Sequence, residues 1–118
     1  MKKIIIVDDN VNFVDMAREY IENFTQREVI AFYTPDKVLE HISNHKDIDV
    51  LVSDYEMPKM NGFELAKQVL EKSPNIKIII WSGHDQMTLE EVNEKYNINA
   101  KFLSKDKVKD VVKLISES

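Results

Sequence analysis

The sequence predicts an open α/β fold in which five parallel strands form a doubly wound sheet with helices on both faces. Short apolar runs rich in β-branched residues alternate with segments of helical periodicity, as expected for buried parallel strands that helices cover on both sides. The 118 residues suffice for one domain with a core and are too few for two. A (β/α)₈ barrel would need about twice this length. We therefore expect one open-sheet domain over residues 1–118.

The first two strands and the helix between them follow from apolar patterning. Residues 4–7 form the first apolar run, which ends at Asp8-Asp9. Residues 28–32 are predicted as the second strand. Between them, apolar residues recur at three- and four-residue steps, which is typical of one buried helix face. These residues are Val14, Ala17, Ile21 and Phe24.

The second and third helices are predicted from their ends. Thr34 followed by Pro35 is an N-cap and first-turn signal, and Val38 with Ile42 continues the apolar face of that helix. The third strand ends at Asp54, and a turn-rich loop over residues 55–62 follows. The next helix ends at Ser73-Pro74-Asn75. Its inward residues are predicted to be Leu65, Ala66, Val69 and Leu70.

The remaining sequence supplies two further strands and two helices. Residues 78–81 form the fourth apolar run, and Thr88 and Glu91 have capping-box spacing before a short helix. Residues 101–104 form a short fifth strand, after which Asp106 can cap the last helix. The apolar stripe of the fourth helix comprises Leu89, Val92 and Tyr96. The stripe of the last helix comprises Val108, Val111, Val112 and Ile115.

Composition restricts the classes of function. The chain is 43% hydrophobic and 31% charged, as in ordinary globular proteins. Its net charge of −5 argues against direct binding to nucleic acid or anionic membranes. Without cysteine, disulfides and thiol catalysis are excluded, and a reducing compartment fits. No apolar run is long enough for a membrane span or a signal peptide, so we expect a cytoplasmic protein.

Three aspartates are predicted to meet at the carboxyl edge of the sheet. Taken alone, Asp8 and Asp9 could be solvated loop acids or helix N-caps. In the strand order 2-1-3-4-5, however, strands 1 and 3 are neighbours at the switch point, and Asp54 then faces both acids. Three close carboxylates are stable only if they are protonated or hold a cation. Oxygen ligands without His or Cys suit Mg²⁺, so the sequence predicts a magnesium site.

Ser82 and Lys105 end the fourth and fifth strands at the same edge. In isolation a serine there is most often a turn residue, and a lysine is nearly always solvated. Beside a magnesium site, however, a hydroxyl and an ammonium are the groups that would bind two oxygens of a phosphoryl group. Their joint occurrence favours a phosphoryl ligand.

Four motifs occur in order along the chain. They are Asp8-Asp9-Asn10, then Asp54-Tyr55-Glu56-Met57-Pro58-Lys59-Met60-Asn61-Gly62, then Ser82-Gly83, and finally Lys105 with Phe102 three residues before it. The pattern resembles the receiver domain of two-component response regulators, of the chemotaxis-regulator type, from end to end. The resemblance implies a flavodoxin-like (βα)₅ fold.

The resemblance also implies a role for each acid. Asp54 would be the phosphoacceptor, taking a phosphoryl group from a phosphohistidine of a sensor histidine kinase or a histidine phosphotransfer protein. Mg²⁺ would bind Asp9 directly, Asp8 directly or through water, Asp54, and the backbone carbonyl of Glu56. The protein would then catalyse only its own phosphorylation and dephosphorylation.

Ser82 and Lys105 would contact the phosphoryl oxygens, by the same resemblance. Movement of the Ser82 hydroxyl would be coupled to rotation of Phe102, which from sequence alone would be a core aromatic. The rotation would reshape the surface of the fourth helix, fifth strand and fifth helix. A downstream target protein or a fused output domain would bind there.

One position departs from the family pattern. Receivers usually have proline after the lysine, often with a cis peptide bond, and here the residue is Asp106. Because a non-proline cis bond costs about 2.5–4 kcal/mol, we expect a trans bond. Asp106 could also compete for the ammonium of Lys105. His84, two residues after Ser82, is expected to be an exposed loop residue.

Two other functions remain open. A Mg²⁺-dependent phosphohydrolase with an aspartyl nucleophile usually has a second acid two residues after the nucleophile on strand 1, where this chain has Asn10 after Asp8. A pseudo-receiver that only binds partners would not need the full set of polar side chains found here. We expect a complete single-domain regulator, although a receiver that is part of a longer protein would show the same pattern.

Overall fold

Strands and helices alternate along the chain in the predicted order. The computed structural model describes residues 2–83 and 86–117, with the backbone alone for residues 86–88. Within these residues the strands are Lys3–Val7 (β1), Val29–Phe32 (β2), Ile48–Asp54 (β3), Lys77–Ser82 (β4) and Lys101–Ser104 (β5). The α-helices described are Val11–Thr25 (α1), Pro35–Asn44 (α2), Gly62–Lys72 (α3), Gln86–Tyr96 (α4) and Asp110–Ser116 (α5).

The strands form one parallel sheet in the order β2-β1-β3-β4-β5, which confirms the prediction. The register pairs Val7 with Ser53, and Asp54 with Trp81. It also pairs Ser82 with Ser104. The residues that end β1, β3, β4 and β5 therefore lie along one edge of the sheet.

The hydrophobic core has one layer on each face of the sheet. Successive strand residues point to opposite faces, so Ile5 belongs to the layer under α2, α3 and α4, and Ile6 to the layer under α1 and α5. Both side chains are fully buried. The predicted apolar faces of α2, α3 and α4 pack into the first layer and that of α5 into the second. Burial on both faces explains why the strand sequences are continuously apolar.

One predicted core residue of α1 is exposed. Val14, Ala17 and Ile21 are buried as expected, whereas Phe24 is 65% exposed. Its ring lies beside that of Tyr20, with 4.5 Å between the ring centroids. Phe24 lies in the last turn of α1, at the border of the arc that the three buried residues define, where spacing alone does not separate core from surface.

The start of the last helix also differs from the prediction. Residues 105–107 form a 3₁₀ turn, and α5 begins only at Asp110. The N-cap of α5 is therefore Lys109 and not Asp106. The Asp106 carboxylate instead accepts a hydrogen bond from Ser104 Oγ. The same local contact removes Asp106 from competition for Lys105, whose ammonium pairs with Asp8 and Asp54. The Lys105–Asp106 peptide bond is trans, as predicted.

Two further predictions concern the segment around residue 85. Because α4 already begins at Gln86, Thr88 lies inside the helix and is not its N-cap. The side chain of Thr88, and His84 with its expected loop position, lie outside the described residues. No helix in the described part of the chain is long and apolar enough to cross a membrane.

Candidate functional site

Three aspartates lie together at the carboxyl edge of the sheet. Asp8 and Asp9 follow β1, and Asp54 is the last residue of β3. One carboxylate oxygen from each lies within 4.8 Å of the others. Asp8 is fully buried, Asp54 is 5% exposed, and Asp9 is exposed to solvent. The structure thus brings together the acids that the sequence analysis selected.

Local hydrogen bonds determine the position of Asp8. The Asp8 amide donates to the carbonyl of Phe32 on β2 at 3.3 Å. Asp8 Oδ1 accepts a hydrogen bond from the amide of Asn10 at 3.0 Å. Asn10 in turn caps α1, since its side chain accepts a hydrogen bond from the Phe13 amide at 3.1 Å. The turn that joins β1 to α1 therefore aims one buried carboxylate along the sheet edge.

Hydrogen bonds hold the backbone of Asp54 and of Tyr55, the residue that follows it. Ser53 Oγ donates to the Asp54 carbonyl oxygen at 2.9 Å. The Gly62 amide, at the start of α3, donates to the Tyr55 carbonyl at 2.8 Å. A Cβ atom at Gly62 would lie 2.3 Å from the Asp54 carbonyl oxygen, so this approach of α3 requires glycine.

The Lys105 ammonium lies between the two least exposed aspartates. Lys105 Nζ is 2.9 Å from Asp8 Oδ2 and 3.1 Å from Asp54 Oδ1. Partial burial lowers the pKa of Lys105, but the contacts with Asp8 and Asp54 outweigh it and raise that pKa above its ordinary value. Nζ also lies over the ring of Phe13, 5.1 Å from its centroid. The lysine is therefore charged and held at the acidic cluster.

The carboxyl group of Asp54 has an unusual pKa. Burial and the negative charge of Asp8 raise the pKa of Asp54 to about 6, against the opposing effect of Lys105. Both causes disfavour the charged form of an acid. The pKa of Asp54 therefore lies nearer to neutrality than that of an ordinary aspartate.

A cavity adjoins Asp54. Its volume is about 250 Å³, and its lining residues are Asp54, Glu56, Ser82, Gly83 and Lys105. Ser82 is buried at the end of β4, and Glu56 is exposed. One water occupies about 30 Å³ of liquid, so a tetrahedral oxyanion fits together with several waters. All three predicted phosphoryl-contacting or accepting residues thus line one space.

A larger groove, of about 730 Å³, lies elsewhere on the molecule. It is lined by residues that include Lys77, at the start of β4, and Glu117, after α5. None of the three clustered aspartates lines it. Size alone would select this groove, but the chemistry selects the smaller cavity.

Phe102 lies on the side of β5 that faces α2, α3 and α4. It is partly buried and packs into the core layer of α2, α3 and α4. Its ring centroid is 6.1 Å from that of Phe63, which is itself 6.1 Å from that of Tyr96 on α4. The aromatic row Phe102–Phe63–Tyr96 therefore joins β5 to α4.

Phe13 lies beside the site but was not predicted from the sequence. Its ring contacts that of Trp81 edge-to-face, with 4.7 Å between centroids. Phe13 lies four residues before Ala17 and packs into the same core layer, so the three- and four-residue spacing of α1 includes it. The predicted stripe began one residue too late, at Val14.

Sequence comparison finds one family. A family model described as the response regulator receiver domain matches residues 4–116. ARR13 of Arabidopsis thaliana, named as a two-component response regulator, is 38% identical over 83 residues, which are 68% of this chain and 14% of that protein. The transcriptional regulatory protein ComA of Bacillus subtilis is 28% identical over 88 residues, 72% of this chain and 41% of ComA. The chain thus spans less than half the length of these curated relatives.

Structural comparison finds the same fold. A CheY-like receiver domain protein from Methanospirillum hungatei superposes with a TM-score of 0.83 at 25% identity, covering 98% of this chain and 90% of that one. The receiver domain of the histidine kinase CKI1 from Arabidopsis thaliana, solved with Mg²⁺ and BeF₃⁻, gives a TM-score of 0.83 at 21% identity, covering 97% and 87%.

Proposed function

Since the chain belongs to the response regulator receiver domain family of two-component systems, we propose that it is a phosphoacceptor switch whose reacting residue is Asp54. One observation carries the proposal. The Lys105 ammonium bridges Asp8 and Asp54 beside a cavity that Ser82 also lines. This arrangement supports the proposal, because a carboxylate, an ammonium and a hydroxyl-bearing residue surround one space with room for a phosphoryl group.

Asp54 is the acid best placed to react. Asp8 is fully buried, and only Asp54 of the three lines the cavity. A carboxylate oxygen of Asp54 would attack phosphorus as the P–N bond to the donor histidine breaks and its electron pair passes to the imidazole nitrogen. Ser82 and Lys105 would bind phosphoryl oxygens in the transition state, where positioning and charge neutralisation supply most of the rate.

The donor atoms at the site fit Mg²⁺. Carboxylates of Asp8, Asp9 and Asp54 and the carbonyl of Glu56 would give an all-oxygen set, the kind of ligand that Mg²⁺ prefers. Mg²⁺, when bound, would supply positive charge that offsets the carboxylates and the phosphoryl oxygens. The same fold accommodates Mg²⁺ and BeF₃⁻ in the CKI1 receiver domain.

The signal would leave the site through Phe102, on the face of the sheet that α2, α3 and α4 cover. The row Phe102–Phe63–Tyr96 links that strand to α4. A shift of Ser82 toward a phosphoryl group would free space for Phe102 to rotate and so change the surface of α4, β5 and α5. A downstream target protein or a fused output domain would bind this surface.

The proposed setting follows from this chemistry. A sensor histidine kinase or a histidine phosphotransfer protein would supply the phosphoryl group in the cytoplasm. Residues 1–118 would act as one receiver domain. Its only catalysis would be its own phosphorylation and dephosphorylation.

Intact-mass analysis after incubation with acetyl phosphate and Mg²⁺ tests the proposal. We expect one added phosphoryl group on the wild type, none on Asp54→Asn, and normal labelling of Asp15→Asn, which removes an exposed aspartate from α1. Equal labelling of the wild type and Asp54→Asn would reject Asp54 as the acceptor. Absence of label on the wild type would favour a pseudo-receiver, and turnover of a phosphomonoester would favour a phosphohydrolase.

A further inference from the structure

Phe13 makes a contact with Lys105 that the proposed reaction does not yet use. Lys105 Nζ lies over the Phe13 ring, 5.1 Å from its centroid. This is within the roughly 6 Å at which a ring face attracts an ammonium. The contact joins α1 to Lys105, the residue that follows β5 and that also contacts Asp8 and Asp54.

The Phe13 ring is held in place by its neighbours. Its edge-to-face contact with Trp81 has an interplanar angle of 75°, and Trp81 is fully buried. The Phe13 backbone is held as well, because its amide donates to the side chain of Asn10 at 3.1 Å. Both the ring and its attachment to α1 are therefore supported.

Lys105 needs such support if Asp8 and Asp54 exchange binding partners during the reaction. Asp8 and Asp54 hold the ammonium through carboxylate oxygens, and the same two carboxylates would bind Mg²⁺ or attack phosphorus in the proposed reaction. The ring of Phe13 has no such second role. It is thus the contact of Lys105 that can persist through phosphoryl transfer.

We propose that Phe13 is a positioning residue, whose ring face keeps the Lys105 ammonium at the phosphoryl site while Asp8 and Asp54 exchange ligands. This inference rests on the proposed function. Losing the contact should slow phosphorylation about three- to tenfold, the range that a partly desolvated cation–π contact implies.

The experiment compares Phe13→Leu, which keeps an apolar side chain without a ring, with Phe13→Tyr, which keeps the ring. Phe24→Leu is the matched control, since Phe24 is an exposed aromatic on the same helix. The rate of labelling of Asp54 by acetyl phosphate should fall in Phe13→Leu. It should stay near the wild-type value in Phe13→Tyr and in Phe24→Leu.

A double-mutant cycle separates positioning from packing. In a Lys105→Gln background, Phe13→Leu should cause no further loss, because the ammonium it positions is gone. An equal loss in both backgrounds would show that Phe13 acts through packing on Trp81, and would overturn the inference. An unchanged rate in Phe13→Leu would also overturn it.

A second measurement needs neither metal nor phosphodonor. The ε-methylene protons of Lys105 should show an upfield ring-current shift in the NMR spectrum, retained in Phe13→Tyr and lost in Phe13→Leu. Absence of that shift in the wild type would refute the contact itself. If the wild type failed to label on Asp54, the proposed function would fail, whereas normal labelling of both wild type and Phe13→Leu would reject only the role of Phe13.

Discussion

At the scale of single residues, the site depends on a close backbone approach as much as on charge. Besides its 2.3 Å approach to the Asp54 carbonyl oxygen, a Cβ at Gly62 would lie 3.2 Å from Ser53 Oγ. The Asp54 carbonyl also accepts the Ser53 hydroxyl. Any side chain at Gly62 must therefore move the backbone of the proposed acceptor.

Gly62→Ala tests this dependence. A helix favours alanine over glycine by about 1 kcal/mol, but a clash with backbone costs about 1–3 kcal/mol, so we expect a net loss of stability. The free energy of unfolding from urea titration measures it. Gly83→Ala is the control, because a Cβ there meets nothing within 4 Å. A Gly62→Ala protein as stable as the wild type would contradict the argument.

Residue-level predictions from the sequence succeeded where a residue's place in an element decides its position. Asp8 and Asp54 follow apolar runs, and the carboxyl ends of parallel strands share an edge. The contact of Lys105 with Phe13, by contrast, depends on how α1 packs beside α5, which no local pattern encodes. The prediction that Phe24 is buried failed for a similar reason, since neighbouring elements decide burial at the border of a helical arc.

At the scale of elements, the end of α1 contains backbone strain that a single substitution can remove. Gln26, the C-cap residue, has φ = 58°, a left-handed conformation that costs a residue with a Cβ about 1–2 kcal/mol. Glycine adopts it freely and is the commonest residue at this position. The Gln26 side chain donates an exposed hydrogen bond to the Asn23 carbonyl.

Gln26→Gly should therefore stabilise the protein by about 0.5–1 kcal/mol. Thermal or urea unfolding measures the change. Gln26→Ala removes the same side-chain hydrogen bond but keeps a Cβ, so it should be no more stable than the wild type. If both variants showed the same gain, the left-handed strain would not be its source.

Element boundaries show what local sequence signals decide. Asn61 and Glu64 form a capping box that starts α3, and the predicted stop after α3 is correct. Asp106 is of a residue type favoured at N-caps, but it accepts a hydrogen bond from Ser104 and α5 starts at Asp110. Caps thus predict a helix start only when no nearer hydrogen-bond donor competes for the same side chain.

At the scale of the whole molecule, the raised pKa of Asp54 makes the stability of the fold depend on pH. The pKa of Asp54 is about 6 in the folded protein and about 3.9 in an unfolded chain. Between these values the folded state binds more protons than the unfolded state, so the contribution of Asp54 to stability falls as pH rises. His41 acts in the opposite direction, because burial lowers its pKa, and only a comparison of variants isolates Asp54.

Asp54→Asn removes this pH-dependent contribution while Lys105 keeps its contact with Asp8. In a chelator, the variant should exceed the wild type in stability by about 1–3 kcal/mol at pH 7, and the difference should shrink toward pH 4. Urea unfolding across that range measures it. Mg²⁺ at pH 7 should reduce the difference, because a ligand that binds the folded acids stabilises the wild type more. A difference independent of pH would contradict the raised pKa of Asp54, and one that Mg²⁺ does not alter would contradict the metal assignment.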